Sequence, residues 1–293
     1  MPIRPRLALV LAALSTIVAC APRASIAPLP VMPFRLDTVM AQRLAPGVTH
    51  RYLYAPDGPW AINVLDATLD DCTRLVAVKD ANVAAGRIRT SAMLRHLSAH
   101  DIVLGGVNGD FFSLADGTPT NLLVVDGRRF TPPNTAAVLA VDSAGVVHIG
   151  HFTLAGETLQ PFHPRDAVGG KPIIVRDSAM VAGIDSANGA AFSTTHHPRT
   201  AVGISRDGRR VVFVVVDGRQ KPYSDGMALR QLATLMLSLG AHTAMNLDGG
   251  GSSAMIFADP AANGALRIAN RPSDREGERG VGDAVAIVQS CVR

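Results

Sequence analysis

Apolar residues in this chain come in short runs separated by turn signals, the rhythm of a strand-rich protein. Trp60 to Leu69, Thr73 to Val78 and Ile102 to Val107 read as strands. Asn121 to Val125 meets Asp126-Gly127, and Ala137 to Val141 and Val146 to Ile149 flank Asp142-Ser143-Ala144-Gly145. Both are hairpin signals. Ile173 to Val175, Ala201 to Ser205 and Arg210 to Val216 continue the series, with Asp207-Gly208 joining the last two. Arg210 to Val216 is so uniformly apolar that both its faces must be buried. Helical spacing shows at Thr90 to Ala99 through Met93, Leu94 and Leu97. It is clearer at Met227 to Leu239, where Leu229, Leu232, Ala233, Met236 and Leu237 form one stripe and Gly240 stands at the C-cap position. Thr243 to Leu247 and Ala284 to Val288 are the last strands. The pattern predicts an α+β fold: a single domain on a strand-rich mixed or antiparallel sheet with a few packed helices.

The beginning of the chain stands apart from that pattern. Arg4 and Arg6 precede an apolar stretch, Leu7 to Val18, that is short for a membrane span, so residues 1–19 read as an export signal. Ile17-Val18-Ala19-Cys20 resembles the bacterial lipobox, in which cleavage leaves a cysteine for lipidation. An ordinary signal peptide with an incidental cysteine is the alternative. Ala21, in place of Asp, favours the outer membrane over the inner. Pro22, Pro28, Pro30 and Pro33 make residues 20–45 an extended tether running from Cys20 to Pro46, and residues 46–293 the folded domain. The expectation is an exported protein held in the bacterial envelope by its lipid. Cys72 and Cys291 then remain in a compartment that permits disulfides, and are expected to pair; two free thiols is the alternative.

Composition narrows the function classes. A chain of 293 residues, 47% hydrophobic, can bury one sizeable core. Its net charge of +4 is spread as scattered Arg, with no basic run interleaved with aromatics, so nucleic acid is not an expected partner. There is no Gly-Lys-Ser/Thr phosphate loop, no Gly-x-Ser-x-Gly elbow and no Cys-x-x-Cys. His196 and His197 are adjacent, so on a strand they would face opposite sides, though one could reach a site near Arg199. No metal or other cofactor is expected; a divalent cation would suit the chemistry but lacks supporting ligand spacing.

Candidate chemistry collects at strand ends. Asn108-Gly109-Asp110-Phe111-Phe112 is one cluster, and its plain reading is a tight turn with aromatic anchors. In Pro198-Arg199-Thr200-Ala201-Val202-Gly203, Arg199 opens an apolar strand, an awkward place for a guanidinium without an anionic partner or an internal ion pair. Asp217-Gly218-Arg219 ends the most apolar strand and reads otherwise as a solvated turn. Asn246-Leu247-Asp248-Gly249-Gly250-Gly251-Ser252-Ser253 is the most informative. Its glycines let a ligand approach the main chain, beside a carboxylate and two hydroxyls. Asn270-Arg271-Pro272-Ser273-Asp274 is weaker, and a capped surface turn explains it as well.

These clusters, in this order, resemble the phosphodiester glycosidase family. The series runs Asn-Gly-Asp-Phe-Phe, Pro-Arg-Thr-Ala-Val-Gly, Val-Val-Asp-Gly-Arg, a helix opening Gly226-Met227, Leu-Gly-Ala, Asn-Leu-Asp-Gly-Gly-Gly-Ser-Ser and Asn-Arg-Pro-Ser-Asp. The resemblance spans Trp60 to Val288. Asp110 departs from a common Gly, and Ala254 from a common Thr. The resemblance implies hydrolysis of a sugar-1-phosphodiester to a sugar and a phosphomonoester, on an envelope glycan or exopolysaccharide.

Oxocarbenium character at the anomeric carbon calls for a carboxylate and an activated water. Asp248 is expected in that role, and Asp110 is the second carboxylate. Arg199 would grip the departing phosphate bidentately, helped by the N–H groups of Gly249, Gly250, Gly251 and Ser252 and by the Ser252 hydroxyl. Asn108 would orient sugar hydroxyls or phosphate, while Gly109, Thr200 and Ser253 line the site and Asp217 and Arg219 stand just behind it. Arg199→Ala and Asp248→Asn are each expected to abolish turnover with thermal stability near wild type. Two other readings stay open: a phosphodiesterase cleaving P–O, with a divalent ion on Asp110 and Asp248, and a lipoprotein that binds envelope glycans without hydrolysing them.

Overall fold

The computed structural model describes residues 34–80 and 83–291. The export signal and Cys20 lie outside them. Three sheets, one of eight strands and two of five, surround a common core, and every recorded strand pairing is antiparallel. An eight-stranded sheet runs, edge to edge, Asp37–Ala45, Val48–Ala55, Trp60–Thr68, Arg210–Val216, Arg199–Ile204, Thr243–Asn246, Ile173–Arg176 and Ala179–Met180. A five-stranded sheet runs Ala265–Ile268, Met255–Asp259, Ile102–Asn108, Ala284–Gln289 and Thr73–Val78. The third, also of five strands, runs Val147–Gly150, Ala137–Val141, Asp166–Gly170, Leu123–Val125 and Arg128–Thr131.

Alternation along the strands explains the layering. In Arg210–Val216, Val211, Phe213 and Val215 enter the central core with Leu65, Leu104, Val168 and Val285. Val212, Val214 and Val216 face the other way, against Leu229, Leu232, Ala233 and Met236 of the helix Leu229–Ser238. Both faces of this strand are buried, as its composition requires. The helix Thr90–Leu97 seals the outer face of the five-stranded sheet with Met93 and Leu94. Each fully buried side chain of this size contributes about 1.5–3 kcal/mol.

The tether expected over residues 20–45 is cut short, because Asp37–Ala45 pairs with Val48–Ala55 as an edge strand. It shows no alternation since most of its side chains face solvent. Main-chain hydrogen bonds, not apolar burial, hold an edge strand of this kind. Pro46-Gly47 makes the turn, with Gly47 at φ 72°. The neighbouring strand was hidden by polar residues that are nonetheless buried. His50 bonds Asn63 at 3.0 Å and stacks on Phe257, while Arg51 meets Asp66 at 3.3 Å. Cys72 and Cys291 are joined in a disulfide with a Cα–Cα distance of 5.0 Å.

Candidate active site

Register brings the motifs together. Pairing of Arg199 with Val216 and of Ala201 with Asn246 puts the end of Arg210–Val216, the start of Arg199–Ile204 and the end of Thr243–Asn246 on one edge of the eight-stranded sheet. In the five-stranded sheet, Ala284 opposes Asn108 and Met255 opposes Val107. Segment 247–254 crosses from one edge to the other and carries the glycine run.

Asn108 rivets this seam. Its Nδ2 donates to the Asp248 carbonyl at 2.8 Å, and its Oδ1 accepts from the Thr200 hydroxyl at 2.8 Å and the Ala254 N–H at 3.1 Å. Both Asn108 and Thr200 are 0% exposed. Both are held by protein partners, which fix the seam. Gly109 is required because a Cβ there would sit 1.9 Å from Asp283 Oδ1. Asp217 is likewise internal: its carboxylate accepts from Asn270 Nδ2, Tyr223 Oη and the Arg271 N–H. The Asn270–Asp274 motif thereby joins the site wall and is not a mere surface turn.

Behind the seam lies a carboxyl pair. Asp110 accepts from the Asn121 N–H at 2.8 Å, from Asn121 Nδ2 at 2.6 Å and from the Phe111 N–H at 2.8 Å. Its own N–H donates to Asp283 Oδ1 at 2.9 Å. Burial, then the facing Asp283 charge, pushes the Asp110 pKa well above the usual range. Asp283 is also raised, chiefly by burial, and its Oδ2 has no partner. Like charges this close disfavour double ionisation. Asp283 was not foreseen; the only sequence signal is an acid placed directly before the apolar strand Ala284–Gln289.

Asp248 stands at the front, half-buried, with its pKa raised to about 6 by burial, against the lowering pull of Ser252, the Gly249 N–H and the Arg279 charge. The glycine run is less open than a cradle for an anion would be. Gly249 N–H donates to Asp248 Oδ1, Gly250 N–H to the Pro198 carbonyl and Ser252 N–H to the Gly249 carbonyl. Among the described residues only the Gly251 N–H of this run has no such partner. The expected array of donors from Gly249 to Ser252 therefore reduces to that one. The Ser253 hydroxyl is buried and unpartnered, while the Ser252 hydroxyl, equally buried, bears on the Asp248 carboxyl. Leaving a buried polar group unmatched costs about 1–3 kcal/mol, which a polar ligand can recover.

The cationic side comes from the other sheet. Arg199 is 2% exposed, and its guanidinium donates to the carbonyls of Met227 at 2.9 Å, Phe192 at 2.7 Å and Thr195 at 3.2 Å, lying 5.0 Å over the Phe192 ring. None of these partners is a carboxylate. Burial and the nearby Arg219 charge bring its pKa to about 10, so it remains a cation at neutral pH. Its Nε and Nη2 are committed to the protein, which leaves no free fork for a bidentate grip. The same bonds explain why the helix starts at Leu229 and not Met227: Met227 pairs its backbone with His197 and offers its carbonyl to Arg199.

Arg219, by contrast, is exposed and held at φ 59°, with its guanidinium against Gly250. It donates to His197 Nδ1 at 3.2 Å. An arginine can only donate, so Nδ1 is the acceptor and the imidazole proton sits on Nε2. Burial and the Arg199 and Arg219 charges lower the His197 pKa, which keeps the ring neutral. His196 turns away to Asp225. Arg219 thus ties His197 to the glycine run that Asp248 heads. Among the described residues no group of three or more His, Cys, Asp or Glu is arranged to hold a metal ion.

The phosphodiester glycosidase family model matches residues 102–288. No curated protein matches the chain. Among solved structures, a hypothetical protein from Synechocystis superposes with a TM-score of 0.68 at 14% identity, over 84% of this chain and 63% of that one. The chain thus spans under two thirds of the Synechocystis protein. The zebrafish N-acetylglucosamine-1-phosphodiester alpha-N-acetylglucosaminidase catalytic domain, auto-inhibited by its pro-peptide, gives 0.64 at 19% identity, over 89% and 84%. A protein of Burkholderia pseudomallei gives 0.59 at 20% identity, over 78% and 74%. At these identities the likeness is one of fold.

Proposed function

The chain belongs to the phosphodiester glycosidase family, and on that footing we propose that it hydrolyses the glycosidic C–O bond of a sugar-1-phosphodiester carried by an envelope glycan. The observation that carries this reading is Asp248, its carboxyl pKa about 6, at the head of the glycine run against which Arg219 lays an exposed guanidinium that has no carboxylate partner among the described residues. At neutral pH Asp248 is ionised. It accepts a proton from water, or faces the positive charge that develops at the anomeric carbon. The C–O electron pair leaves with the phosphate, and water supplies the hydroxyl of the released sugar. Arg219, the His197 Nε2–H and the Gly251 N–H take up the departing charge, with buried Arg199 adding field from behind. Asp110 and Asp283 share the space behind Asp248, and their mutual repulsion holds one of them protonated.

Hydrolysis in ¹⁸O-labelled water tests the bond assignment. Label in the sugar is expected; label in the phosphate would mean P–O cleavage, and tight binding with no turnover would mean a glycan-binding protein. The same reading includes envelope attachment through lipidated Cys20. Support comes from the lipobox sequence and from the disulfide, which needs an oxidising compartment. Mass spectrometry of the N-terminal peptide checks it, and an unacylated Cys20 would rule it out.

A further inference from the structure

Next to the glycine run lies a basin of about 730 Å³ whose walls carry Arg87, Arg89, Arg275 and Arg279. It adjoins the glycine run across one shared wall. Asp274 and Arg279 both line the basin and both pack on Gly251, where a Cβ would fall 2.1 Å from Asp274 Oδ1 and 2.4 Å from Arg279 Nη2. The Arg279 charge also bears on Asp248. Arg89 and the chain opposite are held in place by the two-stranded ribbon of Ile88–Arg89 with Gly280–Val281.

The basin's acids are mostly occupied. Asp274 is bound by Arg279 in a forked pair at 2.8 and 3.1 Å. Glu278 accepts the Ser91 N–H at 2.7 Å at the start of the helix Thr90–Leu97. Arg89 reaches only the Glu278 carbonyl, at 3.2 Å. Arg87, Arg89 and Arg275 are exposed, and none makes an ion pair among the described residues, with Glu276 the acid left opposite them. The Ser273 hydroxyl on the same wall is buried and unpartnered.

We propose that this basin is an anion subsite, receiving the next phosphate of an oligomeric glycosyl phosphodiester while Asp248 and Arg219 act on the first. The inference rests on the glycosyl-phosphodiester reading of the site and makes its substrate class polyanionic. Kinetics on two synthetic compounds, a glycosyl 1-phosphodiester with one repeat and its two-repeat analogue, test it. For the wild type in low salt, KM is expected to be about tenfold lower for the two-phosphate compound, with the advantage shrinking as salt rises. The variant Arg87→Gln/Arg89→Gln/Arg275→Gln should lose that advantage and keep its kcat on the one-repeat compound. Arg275→Gln alone, an exposed position, should lose part of it and guards against misfolding of the triple variant.

Equal KM values in the wild type, or an advantage undiminished in both variants, overturn the subsite. Calorimetric binding of the two-repeat compound to Asp248→Asn separates this from failure of the hydrolytic reading. If neither compound is turned over, a two-phosphate binding preference that the Arg variants abolish still supports the subsite, and its absence sinks it.

Discussion

At the scale of single residues, the structure divides labour differently from the motif order. Asp248 was legible in the sequence because an acid flanking three glycines has little reason to be there except chemistry. Its pKa of about 6 predicts that kcat rises with pH through about 6 and levels off above it. Asp248→Asn should cost at least about a thousandfold in kcat and erase that limb, measured by a pH–rate profile. Arg199 was legible as important but not in kind. A buried guanidinium that satisfies three carbonyls is a structural post, so Arg199→Ala should cost about 2–4 kcal/mol in denaturant unfolding, against the expectation of unchanged stability. Arg219→Ala, at an exposed residue, should leave unfolding unchanged and raise KM about tenfold or more. Asp283 was invisible because nothing in its neighbours' spacing marks an acid that acts from 0% exposure.

At the scale of elements, the strands that the sequence showed were those with apolar runs and turn dipeptides, such as Arg210–Val216 and the hairpin at Asp126-Gly127. Those it hid had other sources of stability. Val48–Ala55 buries polar side chains with partners, Asp37–Ala45 is an edge, and Asp166–Gly170 is short and ends in glycines that admit close neighbours. A Cβ at Gly170 would lie 2.8 Å from the Asn246 carbonyl, so the small residues are a packing requirement of the site's floor. The glycine run is also rigid by construction, stitched to Pro198 and Asn108. Gly251→Ala must displace the Asp274–Arg279 pair, so activity should fall about a hundredfold while the far-ultraviolet circular dichroism spectrum stays that of the wild type.

For the whole molecule, the disulfide and the buried acids set opposite terms. Cys72–Cys291 closes a separation of 219 residues, worth about 5 kcal/mol in the chain-entropy model. Cys72→Ala/Cys291→Ala should lower the unfolding midpoint accordingly, read by denaturant titration. The acids work the other way. Asp110, Asp217, Asp248 and Asp283 all have folded pKa values raised by burial. Folding therefore takes up protons, and stability falls as pH rises from the unfolded value near 4 through the folded values. For Asp248 the window runs from about 4 to about 6, and the loss across it is on the order of 2–3 kcal/mol. Thermal melts should show Tm falling from pH 5 to pH 7, and Asp248→Asn should flatten that slope.

The crossing of segment 247–254 between sheets has a consequence for how this site can be tuned. The buried acids Asp110 and Asp283 hang from one sheet, the cations Arg199 and Arg219 and the neutral His197 from the other, and Asp248 rides the bridge. Proton affinity and anion affinity are thus set on two bodies, the two sheets, that share a core and a hem. Changes in one body should move the pH profile with substrate affinity held, and changes in the other the reverse, so acidity and substrate preference can drift independently within a single fold.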